Sequence, residues 1–392
     1  MKLAIYGHGG SQNHGNEAIV RGVRELFLDA DLSLYTHDVE ADRHFGLDEV
    51  CTIKPGVSKM TISIAVKTLK RVFPQNRIIR RLYYSGFYKP MLDNIEKGTI
   101  YLLEAGDQYC EVFEHRDWYK FLNSEIKKRG GKTVMMSCTI NPELFGDKRL
   151  IDDLNNYDLI VARESLTYEQ IIKHGISTNV KQAPCPAFAM KLESFEVPSW
   201  VNEKRFIGIN VGFLAQGNEK YYDILITNYY NCIKWVLDYT NYDIALIPHV
   251  NWNYENADFK ELDKIERKFR HNKRIHYVEE HNAPKQKFII SKCFAFVCLR
   301  THAVISALEA SVPTVITGYK TKSKGIARDV FLDKWQVLAD VQSLTSEWEI
   351  RDKLKYILDN REDLMDYSKK RMPDYLKGLS VLKQAIIELD EK

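Results

Sequence analysis

A chain of 392 residues, 45% hydrophobic and 28% charged, is long enough for two or three cores of roughly 150 residues, and its balance excludes a disordered or fibrous protein. Its 56 basic and 53 acidic residues leave a net charge of +3, which selects no polyanionic partner, and no nucleic-acid motif accompanies it, so no nucleic-acid partner is expected. No run of 18 or more apolar residues is present to span a bilayer, and the opening MKLAIYGHGG enters a strand without an apolar signal core, so the expected location is the cytoplasm.

Short apolar runs alternate with longer amphipathic stretches, the pattern of parallel sheets covered by helices on both faces. The first run, LAIYG, leads into HGGSQNHGNEAIVRGV. There Gly9, Gly10 and Gly15 permit a tight turn. Asn13 or Asn16 can cap a helix opening at Glu17 or Ala18, leaving amide N–H groups for a phosphate or carboxylate. The spacing matches neither GxGxxG nor GxxxxGKS/T, so neither a dinucleotide fingerprint nor a P-loop is predicted. From Cys51 to Leu92 the chain carries nine basic residues and no Asp or Glu, so the remainder has a net charge of −6. Aromatic and aliphatic residues are interleaved with these cations. The mixture suits either a pair of helices packed on the domain or a peripheral contact with the anionic inner face of the cell membrane.

Further along, TIYLLEAGDQY ends in Glu104, Gly106 and Asp107, acids suited to a sugar hydroxyl and equally common in turns. After the strand TVMMSCT, the run DLIVARES brings Arg163 to a strand end. Its fork fits a carboxylate or phosphate, Glu164 can orient it, and Ser165 or Thr167 can cap the helix that follows. Periodicity is lost over residues 192–204, LESFEVPSWVNEK, and FIGINVG then opens a second strand–glycine unit. The predicted division is an N-terminal α/β domain at 1–195 carrying the basic insertion 51–92, a second α/β domain at 204–345, and C-terminal helices at 346–392 broken by Pro373.

In the second domain, IALIPHV leads through His249 into the aromatic stretch VNWNYENADF, whose rings suit stacking on sugar. The very apolar CFAFVCLRTHAVISALEA sets Arg300 and His302 at a strand-to-helix turn, a placement poor for packing and useful for anion chemistry. TVITGY then runs into Lys320, Lys322 and Lys324 around a glycine turn, where Lys322 can add another positive charge. Cys51, Cys110, Cys138, Cys185, Cys232, Cys293 and Cys298 never form a CxxC pair, which points to reduced thiols and no zinc site.

These residues resemble the polysaccharide pyruvyl transferase family. The likeness lies in the glycine turn with Asn13, Gly15, Glu17, Ala18 and Ile19, the ARES step at 162–165, LRTHAVISAL at 299–308, and VPTVI followed by YxxKxxG at 312–325. This chain has Asn16 where the family commonly has aspartate, and Glu104-Ala105-Gly106-Asp107 where it has a run of glycines. The resemblance implies two Rossmann-like domains of the glycosyltransferase B type with the active site in the interdomain cleft, the acceptor on the N-terminal side and phosphoenolpyruvate on the other. It further implies transfer of pyruvate from phosphoenolpyruvate onto two hydroxyls of a sugar in a cell-surface polysaccharide or its lipid-linked precursor. Arg163, Arg300, His302 and Lys322 are the expected donor residues, with His302 as general acid. Asn13, Asn16, Glu17, Glu104, Asp107 and His249 are the expected acceptor contacts. No metal or cofactor is expected. The alternative is an enzyme of the same fold using a nucleotide-sugar; a non-catalytic sugar or lipid-carrier module is a third reading.

Overall fold

The computed structural model describes residues 1–109, 117–177, 179–212, 219–252, 257–318, 320–332 and 335–392. The chain divides into two compact units. The first comprises Met1–Ser11, Ile19–Pro186 and Leu379–Lys392, and the second comprises Gln12–Ala18 and Ala187–Gly378. Two stretches therefore depart from the simple two-halves order expected from the sequence. The last helix, Gly378–Asp390, returns to the first unit, while the glycine-turn segment at 12–18 belongs to the second.

The first unit is built on parallel strands β1 (Lys2–His8), β2 (Asp31–Thr36), β3 (Thr52–Pro55), β4 (Ile100–Leu103), β5 (Gly106–Tyr109), β6 (Lys132–Ile140), β7 (Leu159–Ala162) and β8 (Val180–Gln182). Their order is β3-β2-β1-β4-β6-β7-β8, with β5 paired to the far end of β6. Central β4 is buried along its whole length, so it reads as an unbroken apolar run, whereas edge strand β8 is only half buried and carries Lys181 and Gln182. The second unit holds β9 (Phe206–Asn210), β10 (Asp243–Leu246), β11 (Ile275–Tyr277), β12 (Ala295–Cys298), β13 (Thr314–Gly318) and β14 (Leu338–Asp340). These are again parallel, in the order β11-β10-β9-β12-β13-β14. In both sheets the order reverses beside the first strand of the unit. Loops leaving the two central strands diverge there and open a crevice at their carboxyl ends, where ligands of such sheets bind.

Three local expectations need correcting. Pro373 does not split the tail: it lies inside the helix Arg361–Leu376, near its C-terminal end, and the breaks fall at Asn360 and Lys377. There Pro373 gives up one i→i−4 hydrogen bond and crowds the Lys369 carbonyl, a local cost that does not end the helix before Leu376. Lys320–Gly325 is not a glycine turn but the opening of the helix Thr321–Phe331, with Gly325 packed in its interior. The helix at Ser165–Lys173 is capped by Glu164, not by Ser165 or Thr167; its carboxylate accepts from Thr167 N at 2.9 Å and from the Thr167 hydroxyl. The six described cysteines are buried and form no disulfide with one another, and Cys110 lies outside the described residues.

Candidate active site

The crevice of the second unit lies between β9 and β12, and the residues that leave these strands meet there. Asn210 ends β9, and its Oδ1 accepts from Arg300 N at 3.0 Å, tying the two strand ends together. Arg300 projects from the turn after β12, and its Nε and Nη2 donate to Asp258 Oδ1 at 2.8 and 2.7 Å. Asp258 is fully buried, and its other oxygen accepts from Asn210 Nδ2, His249 N and Val250 N at 3.0, 3.0 and 3.1 Å. A carboxylate with this many donors is held in one orientation, and it aims the guanidinium in turn. The Arg300 side chain keeps 20% exposure while Asp258 keeps none. Gly212, just past β9, is required by this pair: a Cβ there would stand 2.1 Å from Asp258 Oδ1 and 2.5 Å from Arg300 Nη2.

His302 opens the helix Thr301–Glu309 and packs against Gly15, where a Cβ would meet its Nδ1 at 2.1 Å. The segment at 12–18 is thus part of this crevice. Asn13 bridges Val250 in antiparallel fashion, His14 N donates to the His249 carbonyl at 3.1 Å, and Asn251 N donates to the Gln12 carbonyl at 2.7 Å. Asn13 Oδ1 accepts from Gly15 N at 3.0 Å, and Asn13 Nδ2 donates to Asn16 Oδ1 at 3.2 Å. Glu17 is buried, and its Oε2 takes Ala283 N at 2.8 Å and lies 3.1 Å from His14 Nδ1.

Two buried histidines here have opposite protonation. Burial works against a charged His14, but Glu17 beside Nδ1 and Glu280 at 3.5 Å from Nε2 outweigh it and lift its pKa to about 9. His249, 2% exposed, is pushed well below the ordinary histidine value by burial first, then by the positive charges of His14, His302 and Arg300. Its ring meets that of His14 edge-on at 5.8 Å, and neither of its ring nitrogens has a hydrogen-bond partner among the described residues. A neutral, buried imidazole facing cations is a group whose pKa rises when an anion enters.

The first unit carries its own cluster at the β1–β4 switch. His8 Nδ1 lies 2.5 Å from Glu104 Oε1, and Nε2 lies 3.0 Å from Asp42 Oδ1, which also accepts from Ser11 N and Oγ at 2.9 and 2.6 Å. Burial opposes protonation of His8, but the Glu104 charge and the Asp42 hydrogen bond prevail and raise its pKa to about 10. Burial pushes Glu104 upward, whereas Asp42, despite the same penalty, is drawn below the usual range by His8 and Ser11. Arg163 follows β7 and is 1% exposed, donating from Nε and Nη2 to Thr139 Oγ1 at 3.0 and 2.7 Å. The strand supplying Thr139 shifts register between Met135 and Cys138, where Ser137 adopts φ 45°. The side chain of Asp107 and residues 253–256 of the aromatic stretch lie outside the described residues.

The family model for polysaccharide pyruvyl transferase matches residues 13–321, a span that includes Asn13, Gly15, Arg163, Asp258, Arg300 and His302. The chain belongs to the polysaccharide pyruvyl transferase family. No curated protein matches it by sequence. Among solved structures it is similar to trehalose-6-phosphate synthase OtsA, at 12% identity and TM-score 0.61, covering 100% of this chain and 99% of that one. It is also similar to UDP-GlcNAc 2-epimerase from Neisseria meningitidis bound to UDP-GlcNAc, at 10% identity and TM-score 0.58, covering 99% and 100%. A third is the S. aureus MnaA-UDP co-structure, at 13% identity and TM-score 0.59, covering 98% and 94%. At these identities the likeness shows the fold: two Rossmann-like domains of the glycosyltransferase B type.

Of the residues singled out from the sequence, Arg300, His302, His249, Asn13, Asn16 and Glu17 share the crevice of the second unit. Lys322 lies in the first turn of the helix after β13, the neighbour of β12, while Lys324 pairs with Asp340 at 2.8 Å. Arg163 and Glu104 belong to the first unit. Sequence reasoning missed Asp258, His8, His14, Asp42 and Glu280. His14 and Glu17 carried a readable signal, an i, i+3 histidine–acid pair; Asp258 sat unnoticed in the aromatic stretch. Among the described residues no group of three or more His, Cys, Asp or Glu is arranged to hold a metal ion.

Two outcomes follow from this geometry. Gly212→Ala displaces the Arg300–Asp258 pair and costs about 1–3 kcal/mol in urea denaturation; an unchanged midpoint would mean that the pair shifts without penalty. Because His8 and His14 have folded pKa values near 10 and 9, above an unfolded value of ~6.5, their contribution is complete below pH ~6.5 and is lost as pH rises through 9–10. Stability therefore falls from pH 6.5 to 8, before thiols or phenols ionise, and the slope is shallower in His8→Gln. An equal slope in that variant would refute the coupling.

Proposed function

We propose that the protein transfers pyruvate from phosphoenolpyruvate onto two hydroxyls of one sugar, forming a cyclic ketal and releasing phosphate. The acceptor is a cell-surface polysaccharide or its lipid-linked precursor. The observation that supports this reading is Arg300, oriented by a buried carboxylate, beside His302 at the strand switch of a chain in this family.

Phosphoenolpyruvate carries a carboxylate and a phosphate ester on C2 of an electron-rich double bond. A proton adds to C3, and C2, becoming cationic, bonds to a sugar hydroxyl oxygen whose proton departs. The C2–O bond to phosphate then breaks with the electron pair leaving on phosphate, and the second hydroxyl oxygen bonds to C2 as its proton departs. The two hydroxyl protons balance the one added to C3 and the one carried off by phosphate. Arg300 and Lys322 neutralise the anionic donor, helped by the N–H groups at the start of the helix Thr301–Glu309.

His302, as imidazolium, supplies the proton to C3. His249, neutral until the dianion raises its basicity, receives a hydroxyl proton; a positioned acid or base of this kind is worth ~10²–10⁴-fold. Asn13 and Asn16 face the acceptor, with the half-exposed Trp252 offering a ring for stacking. Arg163, buried on Thr139, acts as a positioning residue within the first unit.

Incubation with phosphoenolpyruvate and a panel of lipid-linked oligosaccharides should release phosphate. His302→Ala should abolish turnover while donor binding persists, and Arg300→Ala should raise KM for phosphoenolpyruvate at least ~10-fold. His249→Gln should lower kcat ~10²-fold or more with an unchanged unfolding midpoint. Release of nucleoside diphosphate from a nucleotide-sugar, with no phosphate from phosphoenolpyruvate, would overturn the proposal in favour of glycosyl transfer.

A further inference from the structure

The segment without a single acidic side chain folds as a helical hairpin on the first unit. Its helices, Ile64–Val72 and Arg77–Phe87, contain no fully buried residue. The hairpin is fastened from its inner side: Tyr84 packs on Phe121 at 5.8 Å, Tyr88 stacks on Trp118 at 5.3 Å, and Arg81 pairs with Glu125 at 3.1 Å. Its outer side carries Met60, Ile64, Val72, Phe73, Ile78 and Leu82, exposed by 94, 83, 61, 53, 73 and 52%. With Leu69, these are seven of the sixteen large hydrophobics exposed among the described residues, gathered in one short stretch, so the patch is not the scatter of single apolar residues normal on a protein surface.

Lys59, Lys67, Arg71 and Arg77 are exposed around the same patch, and Lys70 lies over the Tyr83 ring at 3.5 Å. Apolar side chains ringed by cations match a bilayer surface with anionic headgroups, where the stems of lysine and arginine bury beside lipid and their charges meet phosphate. Helices of 9 and 11 residues reach only ~14 and ~17 Å against a hydrocarbon core of ~30 Å, so the hairpin lies along the surface and does not cross it. A second copy of the chain seated on the same face would set the seven cations of residues 59–82 against seven, with no acidic residue in the facing segment, and a nucleic acid would leave the isoleucines and Phe73 without apolar partners.

We propose that the hairpin at 59–82 is a membrane-surface contact, which seats its apolar residues among the headgroups of an anionic bilayer. The proposal does not rest on the reaction assigned above.

The full chain is sedimented with vesicles of equal phosphatidylglycerol and phosphatidylcholine, and with phosphatidylcholine alone. It should pellet with the first and not the second, and less in about 0.5 M than in about 0.1 M salt. Neutralising Lys67, Arg71 and Arg77 to Gln should weaken partitioning at least ~100-fold. Val72→Ser with Ile78→Ser should weaken it as well; both sets lie at exposed positions and should leave the thermal midpoint unchanged. Wild-type chain that stays in the supernatant, equal binding to phosphatidylcholine, or full binding by the Gln variant would overturn the proposal. A dimer in solution that Ile78→Ser converts to monomer would overturn it in favour of self-association, and tighter binding to duplex nucleic acid than to anionic vesicles in favour of a nucleic-acid face.

Discussion

Asp258 is fully buried, and both of its oxygens are committed: one to the Arg300 guanidinium, the other to three N–H donors from β9 and the loop after β10. A buried carboxylate is unfavourable until this set of partners is complete, and removing one partner of such a pair typically costs about 3–5 kcal/mol. The same group therefore locks the ends of β9, β10 and β12 into one register and fixes the direction of Arg300 at the strand switch. Gly212 follows from that lock, because any side chain would occupy the space of the ion pair. The geometry of the crevice is largely the geometry needed to satisfy this carboxylate.

Both units bury histidines beside acids at the carboxyl ends of their central strands, with different electrostatic results. His8 and His14 have carboxylates at hydrogen-bond distance or close to it, and they stay protonated in spite of burial. His249 lies nine residues from Asp258, yet Asp258 takes its backbone N–H and not its ring; burial first, and then the positive charges of His14, His302 and Arg300, hold it neutral. Proximity in sequence to an acid does not decide the charge of a buried imidazole; which atom the acid contacts does. The crevice holds Arg300 and a charged His14, each paired with a carboxylate, beside a neutral His249.

Most strands buried on both faces were readable because such strands are nearly continuous apolar runs: LAIYG, TIYLLEAG and CFAFVCLR correspond to β1, β4 and β12, whereas interior β2, DLSLYT, has polar residues in its run and was missed. Edge strands β3, β8, β11 and β14 were not readable, since three or four half-covered residues such as Val180–Gln182 carry no periodicity distinct from a loop. The helix Thr321–Phe331 was hidden by its glycine and its lysines, which favour a turn locally and were overridden by packing of Ile326, Val330 and Phe331.

The amino-acid sequence by itself determined the alternation of strands and helices, the family, and the presence of Arg300 and His302 at a strand end, because each depends on residues within a few positions of one another. Only the tertiary structure decided that residues 12–18 complete the second unit, that Asp258 orients Arg300, and that His249 is neutral while His14 is charged. Those outcomes depend on pairs such as Gly15 with His302, Glu17 with Ala283 and Asp258 with Arg300, separated by tens to hundreds of residues. No local pattern records a contact that the chain makes only after its strands have been placed side by side.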